Sequence, residues 1–184
     1  MVKKIKQAFW LFAAVTFCNA QVQQEVAPPD YIKSIVFKGN AEGDQFPLVR
    51  LGEPVYLSFD DLTASEEDYY YKIEHCNVDW TLSNLVKPQY LDGLDNQRII
   101  TYQNSVATLK QFSNYQLQLP NRLTRLKLSG NYILKIFNRF DELMFSRRFI
   151  VFTDAVSVGG VVKRTRDLKY INQKQTVQFT ITSN

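Results

Sequence analysis

His75 is the only histidine of the chain, and it stands beside Cys76. A thiol next to an imidazole is the pairing that can turn cysteine into a nucleophile. The stretch that carries them, DYYYKIEHCNVDW from Asp68 to Trp80, reads as one β-strand rich in aromatic and β-branched residues. Successive side chains of a strand point to opposite faces, so this imidazole and this thiol meet only across a bulge. His75 is therefore expected at a core or rim position, and Cys76 as a small residue near a strand end. A zinc site would need more histidines and cysteines than these two.

Three acidic groups remain as candidates: Asp60-Asp61, Glu66-Glu67-Asp68 and Asp92 with Asp95. The spacing in DGLDN does not follow an EF-hand loop, and solvated acidic turns are the expectation. No carboxylate pair is set apart as a glycosidase pair would be. Neither a glycine-rich phosphate loop nor a GxSxG elbow occurs. The reading is of a protein that is not an enzyme and holds no metal or cofactor. Aromatic residues are the stronger signal. Tyr70, Trp80, Tyr90 and Tyr102 could form a contact platform, since such rings combine large area with a polar tip.

The elements that must position these residues follow from the same strand. Tyr69, Tyr71, Ile73 and His75 share one face, suited to a core. Tyr70, Lys72, Glu74 and Cys76 share the other, suited to water or a partner. A first strand is expected over Tyr31–Lys38, and another over Val55–Phe59, where Val55, Leu57 and Phe59 alternate with Tyr56 and Ser58. FPLVRLGEP reads as the connection between them. Asn77–Asn114 is the least regular segment, with a short strand expected at Ile99–Tyr102. Tyr115, Leu117 and Leu119 alternate with glutamines until Pro120 stops the ladder. Tyr132–Phe137 and Leu143–Phe152 follow, joined by a reversal at Asn138–Glu142. Arg147-Arg148 interrupts the last run, which suggests an edge position or a bulge, with both guanidiniums in solvent. About seven strands separated by turn signals predict an all-β, immunoglobulin- or fibronectin-like sandwich over residues 31–152.

Both ends differ from this framework. Residues 1–20 have a basic start (Lys3, Lys4, Lys6), an apolar run of about ten residues and a small residue at Ala20, the pattern of a cleaved signal peptide. That run is too short to span a bilayer as an ordinary helix. The lipoprotein reading would use Cys18, but bulky Phe17 precedes it. Residues 21–30, ending in Pro28-Pro29, read as an extended linker. The leader holds three of the 22 basic residues and none of the 18 acidic ones, leaving 19 against 18 and a net charge of +1. The basicity belongs largely to the leader, and general nucleic-acid binding loses its support. Cys76 alone cannot form an intramolecular disulfide, so the core must carry the stability. Residues 153–184 change character again: Val156–Val162 is apolar around Gly159-Gly160, KRTRDLKY is basic, and Val177, Phe179 and Ile181 alternate with threonines. They read as the start of a second, truncated β-region, whose last strand has no later strand to pair with.

YYYKIEHCNVDW, YLDGLDNQRI, FSNYQLQLPN, SGNYILKIF, LMFSRRFIVF and VSVGGVVKRTRDLKYINQKQ occur here in this order. The ordered set resembles the amino-terminal domain of the type IX secretion system plug protein, from about Tyr31 to the chain end. The resemblance implies a non-enzymatic periplasmic protein, exported by its signal peptide and peripherally associated with the outer membrane. Its partner would be the large outer-membrane translocon barrel, which it would dock on and help to plug. The expected contact residues lie in the long loop after the organising strand: Trp80, Tyr90, Asp92, Asp95, Asn96 and Arg98. The alternative is a periplasmic β-sandwich binding glycan or peptide through exposed aromatics. A sensor-type module is a third reading, and it would require a membrane segment and a signalling domain downstream.

Overall fold

The computed structural model describes residues 21–40, 46–63 and 65–183. The expected leader, residues 1–20, and with it the candidate lipid-bearing Cys18, lie outside the described residues. Among the described residues there are thirteen strands and one helical turn: β1 (Ile32–Lys38), β2 (Leu48–Arg50), β3 (Val55–Asp61), β4 (Tyr70–Cys76), α1 (Lys87–Tyr90), β5 (Leu91–Gly93), β6 (Gln97–Arg98), β7 (Thr101–Asn104), β8 (Ser113–Leu119), β9 (Thr124–Leu126), β10 (Gly130–Phe137), β11 (Leu143–Phe152), β12 (Val156–Arg164) and β13 (Gln175–Ser183). The all-β expectation holds.

Two sheets form the sandwich, one in the order β1-β3-β8-β7 and the other β2-β11-β10-β4-β6. Period-two alternation builds both. Val55, Leu57 and Phe59 of β3 are buried beside Tyr115, Leu117 and Leu119 of β8, while the residues between them are half-buried or exposed. On the facing sheet Tyr71, Ile73, Tyr132, Leu134, Ile136, Phe145 and Phe149 point inward. Rings join the layers edge to face. Phe59 meets Phe145 at 5.2 Å between centroids, and Phe37 meets Phe149 at 5.7 Å. Such pairs contribute about 0.5–1.5 kcal/mol each beyond the area they bury.

One carboxylate sits wholly inside this apolar setting. Asp61, at the end of β3, accepts the Tyr69 hydroxyl at 2.7 Å and the Thr63 N–H at 2.9 Å. Those bonds offset the cost of burying the charge. Burial and the carboxylate together push the Tyr69 hydroxyl far above its ordinary range, so it stays a donor.

Several expectations are corrected. The connection FPLVRLGEP contains β2, a three-residue strand parallel to the end of β11. The short strand after the long loop begins at Thr101 instead of Ile99. Arg147 and Arg148 are half-buried rather than solvated. They hold the lead-in segment, which runs extended but is bonded to the sandwich. Ser146 donates its N–H to Val26 and accepts the Val26 N–H on its hydroxyl at 2.8 Å. The Arg148 N–H donates to Glu25 at 2.7 Å. Part of the second sheet's edge is thus covered by the chain itself, which blunts it as a template for other strands. The outer face of β4 and β10 is likewise covered in part. Cys76 and Ile133 are buried there, apart from the main core, and Lys135 bonds both Glu74 and Gln23.

β13 does have a partner. It pairs in full antiparallel register with β12, which precedes it. In this hairpin Val156, Val158, Val162, Val177, Phe179 and Ile181 fall on one face, and all six are exposed.

Candidate functional site

The loop after β4 is built from small, locally dictated pieces. Asp79 accepts the N–H of Thr81 at 3.0 Å and its hydroxyl at 2.7 Å, closing a turn that leaves Trp80 at a φ of 65°. These bonds hold the Asp79 carboxyl below its ordinary range. Trp80 then lies under the Arg148 guanidinium, 4.5 Å from the indole centroid. Its carbonyl accepts the Gln23 N–H at 2.7 Å. Pro88 lies within the first turn of α1, where a missing N–H costs nothing. That turn directs Tyr90 inward, where its ring packs beside His75 and Tyr132.

Past α1, β5 pairs with β9, and Gly93 makes the pairing possible. Its φ of 110° favours glycine, and a Cβ there would strike the Leu123 carbonyl. Leu94 then donates its N–H to the same carbonyl at 3.0 Å. Asp95 pairs with Lys87 at 2.7 Å, and Arg98, on β6, pairs with Asp68 at 2.6 Å.

The six sequence-predicted residues therefore divide. Tyr90 is 4% exposed and belongs to the core, so its ring offers no contact surface. Trp80 is half-buried and serves the lead-in segment, on the opposite side of β4 from Tyr90. Asp92, Asp95, Asn96 and Arg98 are exposed and close together along one short loop. Residues the sequence reading missed complete that surface. Leu94, Ile100 and Leu123 are 64%, 76% and 48% exposed. Ile100 and Leu123 border a cleft of about 240 Å³ whose rim carries Arg98 and Arg122. An apolar centre with a polar, charged rim is the anatomy of a contact surface. No periodic pattern marked these three residues, and only their apolar character inside an otherwise polar segment could have found them.

The four expected rings do not form one platform. Tyr90 is buried, Tyr102 stacks on Tyr115 at 5.4 Å and donates its hydroxyl to Glu66 at 2.7 Å, Trp80 lies under Arg148, and Tyr70 is half-buried on β4. The His75–Cys76 pair is also inert as a dyad. The two side chains lie on opposite faces, and burial pushes the Cys76 thiol up to about 11. Among the described residues no group of three or more His, Cys, Asp or Glu could hold a metal ion. Among them, too, no helix is long and apolar enough to cross a membrane.

A crystal structure of a hypothetical protein from Parabacteroides merdae ATCC 43184 is similar, at 33% sequence identity and a TM-score of 0.73. The match covers 86% of this chain and 41% of that one, so the chain spans about two fifths of its relative's length. A Niemann-Pick type C2 protein from the Japanese carpenter ant matches at 13% identity over 65% of this chain and 89% of its own, with a TM-score of only 0.34. No curated protein matches the sequence. Residues 32–153, which include the whole sandwich and the loop after β4, match the family model of the type 9 secretion system plug protein first domain, and the chain belongs to that family.

Proposed function

We propose that this chain is a non-enzymatic, periplasmic component of type IX secretion that docks on the large outer-membrane translocon barrel and helps to plug it. The observation that carries the reading is the family match across the whole sandwich. A wide aqueous barrel leaks unless a folded body closes its mouth, and a β-sandwich with a buried aromatic core is rigid enough to serve. The docking surface is the loop Asp92–Arg98 with Leu94, Ile100 and Leu123, an apolar centre inside a charged rim. Residues 1–20 act as the export signal, and the segment 21–30 leads into the plug domain. Residues 153–184 open a second β-region. The hairpin's exposed apolar face and the greater length of the Parabacteroides relative support that division.

Affinity purification of the tagged protein from gently solubilised outer membranes tests the reading. Co-purification of a very large barrel protein, lost in an Ile100→Asp, Leu123→Asp variant that melts like the parent, is the expected result. A clean preparation without the barrel would remove the plug role. Unchanged recovery by the variant would remove this surface.

A further inference from the structure

At the end of the sandwich where β3 begins and β8 and β11 finish, the two sheets part to leave a cleft of about 560 Å³. That volume lies within the roughly 300–1,000 Å³ of small-molecule sites. Its floor is made by both sheets. Val55 faces Leu119 across the β3–β8 ladder, and Val49 faces Val151 across the β2–β11 ladder, each at most 3% exposed. The mouth is cationic. Arg50, Arg122 and Arg125 line it against one carboxylate, Glu53. Arg50 is engaged by Asp154. Arg122 and Arg125 have no ion pair and no side-chain hydrogen bond among the described residues.

We propose that this cleft binds an anionic single-chain amphiphile, its acyl tail on the valine–leucine floor and its head between Arg122 and Arg125. The cleft is lined by the partly buried Leu126 and by the edges of Val49, Val55, Leu119 and Val151, whose backbones run within ladders, and the adjoining Pro120 has no N–H. An acyl chain needs nothing more, whereas an extended peptide needs free backbone partners. The apolar floor disfavours a bare inorganic anion. Guanidiniums without partners favour a carboxylate or phosphate head, which they can grip in a planar, bidentate fashion. The site adjoins the proposed docking surface, since Arg122 lies on the rim of both clefts and Arg125 faces Asp92 across the β5–β9 pair, but it does not rest on that reading.

Isothermal titration of the purified protein, below micelle-forming concentrations, tests this with dodecanoate, with lysophosphatidylglycerol and with uncharged dodecyl maltoside. Saturable binding of either anionic amphiphile, about tenfold or more tighter than the maltoside, supports the proposal. Dodecanoate alone would identify a free fatty acid as the source, and lysophosphatidylglycerol a lipid headgroup. Arg122→Glu with Arg125→Glu removes binding by about tenfold or more while the melting temperature stays unchanged. Leu126→Trp, which narrows the cleft wall, weakens both anionic ligands similarly. Equal binding of the maltoside, full binding by the charge-reversed variant, or no saturable binding by any of the three overturns it. Preferential binding of a short apolar peptide with a free carboxyl end does so too.

Discussion

The Arg148 guanidinium lies 4.5 Å from the Trp80 ring while its Nε donates to the Gln23 carbonyl at 2.8 Å. One side chain therefore ties the loop after β4 to the lead-in segment. Cation–π contact and a charge-assisted hydrogen bond are each worth about 1–2 kcal/mol when partly desolvated.

Arg148→Ala should release the lead-in segment without unfolding the sandwich. Hydrogen exchange of Val22–Val26 should speed markedly, and stability should fall by about 1–3 kcal/mol. Exchange mass spectrometry checks it. Protection of that segment as in the parent would show that its bonds to Ser146, Trp80 and Lys135 hold it without the guanidinium.

Asp61→Ala should cost about 3–5 kcal/mol, because it leaves the Tyr69 hydroxyl buried without its acceptor and removes a well-bonded carboxylate. Tyr69→Phe should cost less, about 1–2 kcal/mol, since Thr63 still serves the carboxylate. Denaturant melts of the single and double variants should give strongly non-additive losses.

His75 predicts a pH dependence of stability. Burial lowers its pKa from 6.5, partly opposed by a hydrogen bond with the Ser129 backbone. Its Nδ1 has no partner, and its neighbours Tyr90 and Tyr132 carry no charge at neutral pH. The unfolded chain binds the proton more readily than the folded one. The contribution is therefore fully present above pH 6.5 and is lost as pH falls through the folded value. Melts at pH 7.5 and 5.5 should show a drop that His75→Gln abolishes.

Cys76 should be unreactive in the folded protein. The thiol is buried and, with its titration raised to about 11, holds almost no thiolate at neutral pH. Ellman's reagent should label it only at the rate of unfolding. Prompt stoichiometric labelling under native conditions would contradict the packing described.

Strand alternation made β3, β4 and β8 readable from the sequence, because each buries one face and leaves most of the other half-buried or exposed. β2 was not readable. Three residues are too few to show a period, and its parallel partner lies about a hundred positions away. Tyr90 misled the reading because a ring inside a polar stretch looks like a platform, whereas the single turn of α1 folds it inward. The lead-in segment escaped because its bonds run largely through backbone groups, which leave little trace in side-chain pattern. In the candidate site, the acidic and basic rim was legible. Its apolar centre joins Leu94 and Ile100 to Leu123 on a later segment, and only the fold brings the two segments together.

The seating of Gln23 on Arg148 links residues 125 positions apart. The lead-in segment precedes the sandwich in the chain, yet its seat exists only once β11 has been made and paired with β10. This early segment can therefore seat only after β11 is in place, and closing so long a loop slows that step. Until then the β11 edge and the Trp80 ring are open together. A half-folded molecule displays a surface that the finished one has hidden with its own lead-in segment.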